Sequence, residues 1–307
     1  MTAQSPSTAA QPARAEPASR TERMIILCAD DYGLTEGVSR AIGELAAAKR
    51  LSATSVLVTS PHWPLSAPRL CAHRGRLSVG LHLDLTLAGP LGPMPKLAPG
   101  AMLPSLPGLL GRALLGLLDR QEIAAEIERQ LDRFEQGMHA PPDHIDGHQH
   151  VHVLPGVRNV LLEIVRRRYA HQPPLIRDPS DRPGDIIGRG LATPKALCIA
   201  TLALGLAHTA RSRGLPTNDT FSGVSRFDTA QHYADELKAA FSRPGRRHLV
   251  MCHPGHPDAE LANLDPVVGR RRMEYEALMR EPDLPSRIWR PSRAADGPPI
   301  SWTDLTD

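Results

Sequence analysis

Histidine and aspartate recur in four short stretches of this 307-residue chain, each next to an apolar run. The densest is His144-Ile-Asp146-Gly-His148-Gln-His150-Val-His152, four imidazoles and one carboxylate in nine residues. At strict alternation these side chains would share one face of a strand, whereas a helical turn would make His148 and His152 neighbours. Imidazole with carboxylate is a donor set that suits Zn²⁺ and tolerates other divalent ions. An exposed histidine tract is the alternative, and the interleaved apolar residues argue for burial.

The other three stretches sit at the ends of apolar segments. Met24-Ile-Ile-Leu-Cys-Ala29 runs into Asp30-Asp31, two adjacent carboxylates that are costly to bury without a cation or hydrogen-bond donors. They read as a metal site or as a solvated turn. In Gly80-Leu-His82-Leu-Asp84, His82 and Asp84 alternate onto one face of a strand and Gly80 leaves room beside them, although a lone His there also fits a hydrogen-bonded core residue. Met251-Cys-His253-Pro-Gly255 holds His253 at a strand end before a rigid Pro-Gly, which suits a proton donor and equally a turn cap.

Elements that position these residues follow from hydrophobic periodicity. Apolar runs at 24–29, 54–59, 77–83, 173–177 and 248–252 predict buried strands, and the histidine tract, 143–153, lies between the helices that flank it. Helices are predicted at 35–49, with Thr35 as N-cap and Val38, Ile42 and Leu45 on one face, at 120–137 with Ile123, Ile127, Leu131 and Phe134, and from Pro155 or Gly156 through Tyr169. Residues 87–107, rich in Pro and Gly, read as a long ordered loop or lid, and 179–220 as a poorly periodic insertion with one apolar helix. Strands alternating with helices, with polar residues at the strands' carboxyl ends, predict an α/β barrel; a flat doubly wound sheet is the alternative.

Composition narrows the classes. At 41% hydrophobic residues the chain can bury a large core, while a net charge of +3 and 4% aromatic residues give no basic stripe or stacking platform for nucleic acid. Cys28, Cys71, Cys198 and Cys252 lack paired spacing and read as buried thiols of a cytoplasmic protein. Residues 1–23 read as a disordered tail without a signal-peptide core, 24–290 as the α/β barrel domain and 291–307 as a C-terminal tail. The apolar stretches 106–118 and 196–210 are too short to span a bilayer and read as helices covering a core or cleft, with an interfacial role or a homodimer contact as alternatives.

Ala29-Asp-Asp-Tyr-Gly33, Val79-Gly-Leu-His-Leu83, His144 through His152 and Cys252-His-Pro-Gly255, in this order, resemble the YdjC-like carbohydrate deacetylases. That family includes chitooligosaccharide deacetylase and the deacetylase associated with hopanoid biosynthesis. The resemblance runs from about Met24 to Met279 and is looser at 90–107 and 179–219. It implies a seven-stranded, TIM-like barrel and one divalent ion, magnesium or zinc, held by Asp31, His82 and His148. Asp30 would be the general base and His253, as imidazolium, the general acid; Asp146, His150, His152 and Arg177 would touch the ligands or the substrate. The reaction implied is loss of acetate from an N-acetylated sugar, either a chito-oligosaccharide or an N-acetylglucosaminyl glycolipid. Another metal-dependent hydrolase, such as a phosphoesterase or amidohydrolase, and a non-catalytic sugar-binding barrel are the alternatives.

Overall fold

Continuous apolar runs are what a parallel sheet covered on both faces requires. In the computed structural model, which describes residues 23–87, 89–264, 268–294 and 296–302, they form seven strands. These are β1 (Met24–Tyr32), β2 (Ala53–Val56), β3 (Ser78–Leu83), β4 (His144–Gly147), β5 (Leu175–Ile176), β6 (Thr220–Ser222) and β7 (Arg247–Cys252). All pair in parallel, in the order β5-β4-β3-β2-β1-β7-β6. The sheet curls into a half-barrel whose edge strands approach at one bridge, Ile176 to Thr217. Beside that bridge the Asn218 side chain stands in for a strand: its Oδ1 accepts from Asp178 N at 2.7 Å and its Nδ2 donates to Asp178 O at 2.8 Å. The expected barrel therefore replaces the flat-sheet alternative.

Twelve helices among the described residues cover this sheet: α1 (Glu36–Ala47), α2 (Trp63–Cys71), α3 (Leu106–Leu114), α4 (Arg120–Met138), α5 (Arg158–Arg168), α6 (Pro183–Arg189), α7 (Thr193–Leu202), α8 (Leu206–Arg211), α9 (Tyr233–Ala240), α10 (Leu261–Leu264), α11 (Val268–Arg280) and α12 (Leu284–Arg287). Thr35 caps α1 by accepting from Val38 N at 3.3 Å, and Val38, Ile42 and Leu45 are buried as their spacing predicts. The α4 face of Ile123, Ile127, Leu131 and Phe134 is buried in the same core. No helix among the described residues is long and apolar enough to cross a membrane.

Several expectations need correction. The insertion at 179–220 carries three short helices rather than one, and β6, too short and too polar to show a period, closes it. The strand expected at 173–177 shrinks to two residues. Cys198 is exposed rather than buried, whereas Cys28 and Cys252 are buried and Cys71 is half-buried; all four are free. The histidine tract does not share one strand face either. It is extended only to Gly147 and then turns through a 3-10 segment, His148–Val153, in which Gln149 (φ 52°) and His150 (φ 60°) take the left-handed conformation.

Residues 1–22 and 303–307 of the expected tails lie outside the described residues. The part of the C-terminal segment that is described packs against the base of β4. Trp302 is buried and donates from Nε1 to Asp143 O at 2.5 Å, and Arg293 pairs with the Asp143 carboxylate.

Gly80 on β3 allows the buried His144 ring to lie directly against the backbone, in space that a Cβ would occupy. Gly80→Ala is expected to destabilise the protein by about 1–3 kcal/mol, as overpacking does, measured by urea unfolding; an unchanged midpoint would show that the ring can move aside.

Candidate functional site

A regular strand sends adjacent side chains to opposite faces, so Asp30 and Asp31 could not both reach one site from an undistorted β1. The register solves this. Ala29 pairs with Thr54 and Tyr32 with Val56, leaving one extra residue on β1, and Asp31 takes φ 70° within that bulge. Both carboxylates then border one cavity at the carboxyl ends of the strands. His82 reaches it from the end of β3, His148 from the turn after β4, and His253 from just after β7.

Three donors converge there. Asp31 Oδ1 lies 3.3 Å from His82 Nε2 and 3.1 Å from His148 Nδ1, and the three residues form a group able to hold a metal ion. His82 Nδ1 is fixed on Asp146 Oδ1 at 2.6 Å, so Nε2 is the nitrogen presented to Asp31. A carboxylate behind a histidine, orienting it and raising its basicity, is the usual support of an imidazole ligand. Burial opposes charge on His82, yet Asp146 and Asp31 outweigh it and raise the imidazole to about 10. A metal ion would take the place of that proton, and the donor set fits a divalent cation.

Among the described residues two other groups have metal-ligand chemistry: Asp30 with His82 and Asp146, which shares His82 with this one, and deeper, Cys28 with His144 and Asp146. The Arg177 guanidinium already lies among them. It meets Asp30 at 2.6 and 2.7 Å, Cys28 Sγ at 3.1 Å and Ser55 Oγ at 3.2 Å, and it pairs with Asp146. Burial pushes the Cys28 thiol well up, which disfavours the thiolate a metal needs.

The remaining expected residues divide by depth. His150 lines the cavity with its ring edge-on to Phe221. Burial holds its imidazole well below the usual value. His152 is fully buried and bonds Arg177 O through Nε2 at 2.9 Å. Asp146 and Arg177 lie behind the cavity floor, supporting His82 and Asp30. Asp84 is not brought in: its carboxylate binds Thr59 Oγ1 and the backbone N–H groups of Thr86 and Leu87. His253 Nε2 is 4.0 Å from Asp30 Oδ2, its ring packs edge-on to Phe227, and burial lowers its imidazole to about 4.

Sequence reasoning missed α11. Arg271 Nη2 meets Asp31 Oδ2 at 2.6 Å, and Glu274 Oε2 accepts from His253 N at 2.5 Å. Burial would raise the Asp31 carboxyl, but the Arg271 guanidinium and the two imidazoles outweigh it and hold it well below the usual range. Burial raises Glu274 to about 7. The signal available was the spacing of Arg271, Glu274 and Leu278 on one helical face, hidden in the run Arg270-Arg-Arg272 that reads as a solvated surface.

The cavity holds about 500 Å³ and has a polar floor beneath mostly aliphatic walls, with Leu106, Leu110, Ile199 and Leu202 among them. Its fold and rim make the protein a TIM-like α/β barrel with a candidate metal centre at the carboxyl ends of the strands, where barrel enzymes carry their sites. More particularly, the sequence profile described as YdjC-like protein matches residues 24–284, and the chain belongs to that family. A protein of Yersinia pestis (strain Pestoides F) named chitooligosaccharide deacetylase is 36% identical over 152 residues, 48% of this chain and 57% of that protein. One of the same name from Proteus mirabilis (strain HI4320) is 32% identical over 150 residues, 47% and 56% of the two chains. The chain thus spans little more than half the length of these relatives. A crystal structure of a putative cellobiose-phosphate cleavage protein from Enterococcus faecalis V583 superposes with a TM-score of 0.63 at 21% identity, covering 86% of this chain and 93% of that one, which shows a shared fold.

Arg271→Met removes the cation that faces Asp31 from α11. It is expected to cost about 3–5 kcal/mol in chelator-treated protein, as losing one partner of a buried pair does, with most of the loss recovered in Asp31→Asn/Arg271→Met. A loss below about 1 kcal/mol, the range of a surface pair, would show that Asp31 is solvated.

Proposed function

We propose that the protein is a metal-dependent hydrolase that removes the acetyl group from an N-acetylated sugar, a chito-oligosaccharide or an N-acetylglucosaminyl glycolipid. The observation that carries this reading is the convergence of Asp31 Oδ1, His82 Nε2 and His148 Nδ1 on one point of the cavity floor, flanked by Asp30 and His253. Asp31, His82 and His148 would hold one divalent ion, magnesium or zinc. When bound, such an ion acts as a Lewis acid on the acyl carbonyl and lowers the pKa of water toward about 7. The names of the Yersinia and Proteus relatives support the substrate class.

Asp30 is the general base. Arg177 grips both of its oxygens, which fixes the carboxylate plane and leaves a lone pair on each oxygen for the proton of an attacking water. His253 delivers a proton to the leaving nitrogen. With its imidazole lowered to about 4 it is neutral at the start, so it must first receive a proton, and Asp30, 4.0 Å away and protonated during attack, is the donor in reach. The proton passes from water through Asp30 and His253 to the amine, and acetate and a free amino sugar leave. His150, on the wall, contacts substrate, while His152 and Asp146 hold Arg177 and His82 in place. Four free cysteines support a reducing compartment, the cytoplasm.

Purified protein is expected to bind about one equivalent of divalent metal and to release acetate from N-acetylglucosamine oligosaccharides or glycolipids, with chelation abolishing release. Asp31→Ala is expected to lose metal, whereas Asp30→Asn and His253→Ala keep it while kcat falls by roughly two to four orders of magnitude. Full turnover by metal-replete Asp30→Asn would refute the base, and protein that takes up no metal would sink the mechanism. Metal with tight sugar binding but no acetate would point to the non-catalytic barrel.

A further inference from the structure

The cavity's apolar walls do not stop at its mouth. On α3, Leu106 and Leu110 line the cavity and Leu114, the next residue at helical spacing, is 62% exposed. Leu115 and Leu117, in the turn that follows, are 73% and 66% exposed. On α7, Ile199 and Leu202 line the cavity, and Leu204, just past the helix end, is 70% exposed. These two edges are linked through the residues that open α5. Leu118 packs beside Gly156, and Arg158, two residues later, donates from Nη1 to Leu204 O at 2.8 Å. Four large exposed side chains thus continue two helices that line one cavity and are linked through the start of α5, where single exposed leucines would call for no explanation.

The two segments that build this face carry only positive charge, with Asp84, Asp119, Asp185 and Asp219 directly at their ends. Residues 85–118 and 186–218, which build it, contain Lys96, Arg112, Arg189, Lys195, Arg211 and Arg213 and no Asp or Glu, in a chain whose overall totals nearly balance at 36 cations to 33 carboxylates. Lys96, Arg189 and Arg211 pair with carboxylates from outside the two segments. Arg112 and Arg213, like Arg158 on α5, instead donate to backbone carbonyls, which leave the positive charge uncancelled. Exposed leucines on segments rich in cations match the chemistry of an anionic bilayer surface, apolar side chains entering the acyl boundary and cations resting on lipid phosphates.

We infer that the face formed by Leu114, Leu115, Leu117 and Leu204 docks the protein on an anionic lipid surface, with the cavity mouth toward the bilayer. A second copy of this chain is the rival occupant, and it lacks the favourable charge, because two such faces would bring arginines against arginines. The inference does not depend on the reaction proposed above, since docking can be measured without turnover.

The full-length protein is expected to co-sediment with vesicles containing phosphatidylglycerol, to bind pure phosphatidylcholine vesicles much more weakly, and to lose affinity as salt is raised. Leu115→Ser/Leu117→Ser/Leu204→Ser, all at exposed positions, is expected to lower partitioning more than about tenfold with an unchanged thermal midpoint. Equal binding by the triple variant, or no vesicle binding by the wild type, overturns the inference. So does a wild-type dimer in sedimentation velocity that the same variant dissolves.

Discussion

Two adjacent carboxylates buried at the end of one strand are the constraint on which this structure turns. Asp30 and Asp31 are each about 2% exposed or less, and each is held by a guanidinium from far along the chain, Arg177 after β5 and Arg271 on α11. Removing one partner of such a pair costs about 3–5 kcal/mol, a large share of the roughly 5–15 kcal/mol that holds a domain folded. Neither carboxylate can therefore sit where it does until the sheet has curled far enough to bring β5 and α11 to β1. The site is assembled by closure of the barrel rather than carried by any one segment.

Beneath the cavity floor the same logic continues as a run of hydrogen bonds. His82 bonds Asp146, Asp146 accepts from Ser55 Oγ at 2.6 Å, Ser55 meets His144 Nε2 at 3.1 Å, and His144 Nδ1 meets Ser78 Oγ at 2.9 Å. Every member is buried, so each polar atom needs its neighbour, and a network satisfied throughout has one arrangement. Burial lowers His144, keeping it neutral between two hydroxyls, while Asp146 and Asp31 raise His82 at the far end, where a metal ion would take the place of its proton. One histidine is thus structural and the other presents a ligand nitrogen, though both lie within apolar strands.

Much of this was legible in the sequence because strand ends are chemically simple. Apolar runs stopping at Asp30, His82 and His253 announced both the strands and the rim, and the α1 and α4 stripes followed helical spacing. What could not be read was every feature that depends on a local departure from period. The bulge that turns Asp30 and Asp31 to one side leaves no mark in residue type, since Asp31 is not a glycine. Gln149 and His150 in left-handed conformation broke an alternation that the sequence displays without fault. Arg271 and Glu274 could not be picked out, because burial of a paired charge depends on partners distant in the chain.

The break in the histidine tract also shows why alternation would have been the wrong solution. On a straight strand His144, His148, His150 and His152 would crowd one face and compete for one partner. Turning the chain at Gly147 separates them: His144 stays in the hydrogen-bonded core, His148 meets Asp31, His150 joins the cavity wall, and His152 secures the carbonyl of Arg177. Two left-handed residues that are not glycine carry a conformational cost of about 1–3 kcal/mol each. That cost is offset where the turn is over-determined, and here it is, because His152 locks Arg177 from behind while Arg177 locks Asp30 in front. The strained turn and the buried ion pair are therefore joined through Arg177, its carbonyl on the one and its guanidinium on the other.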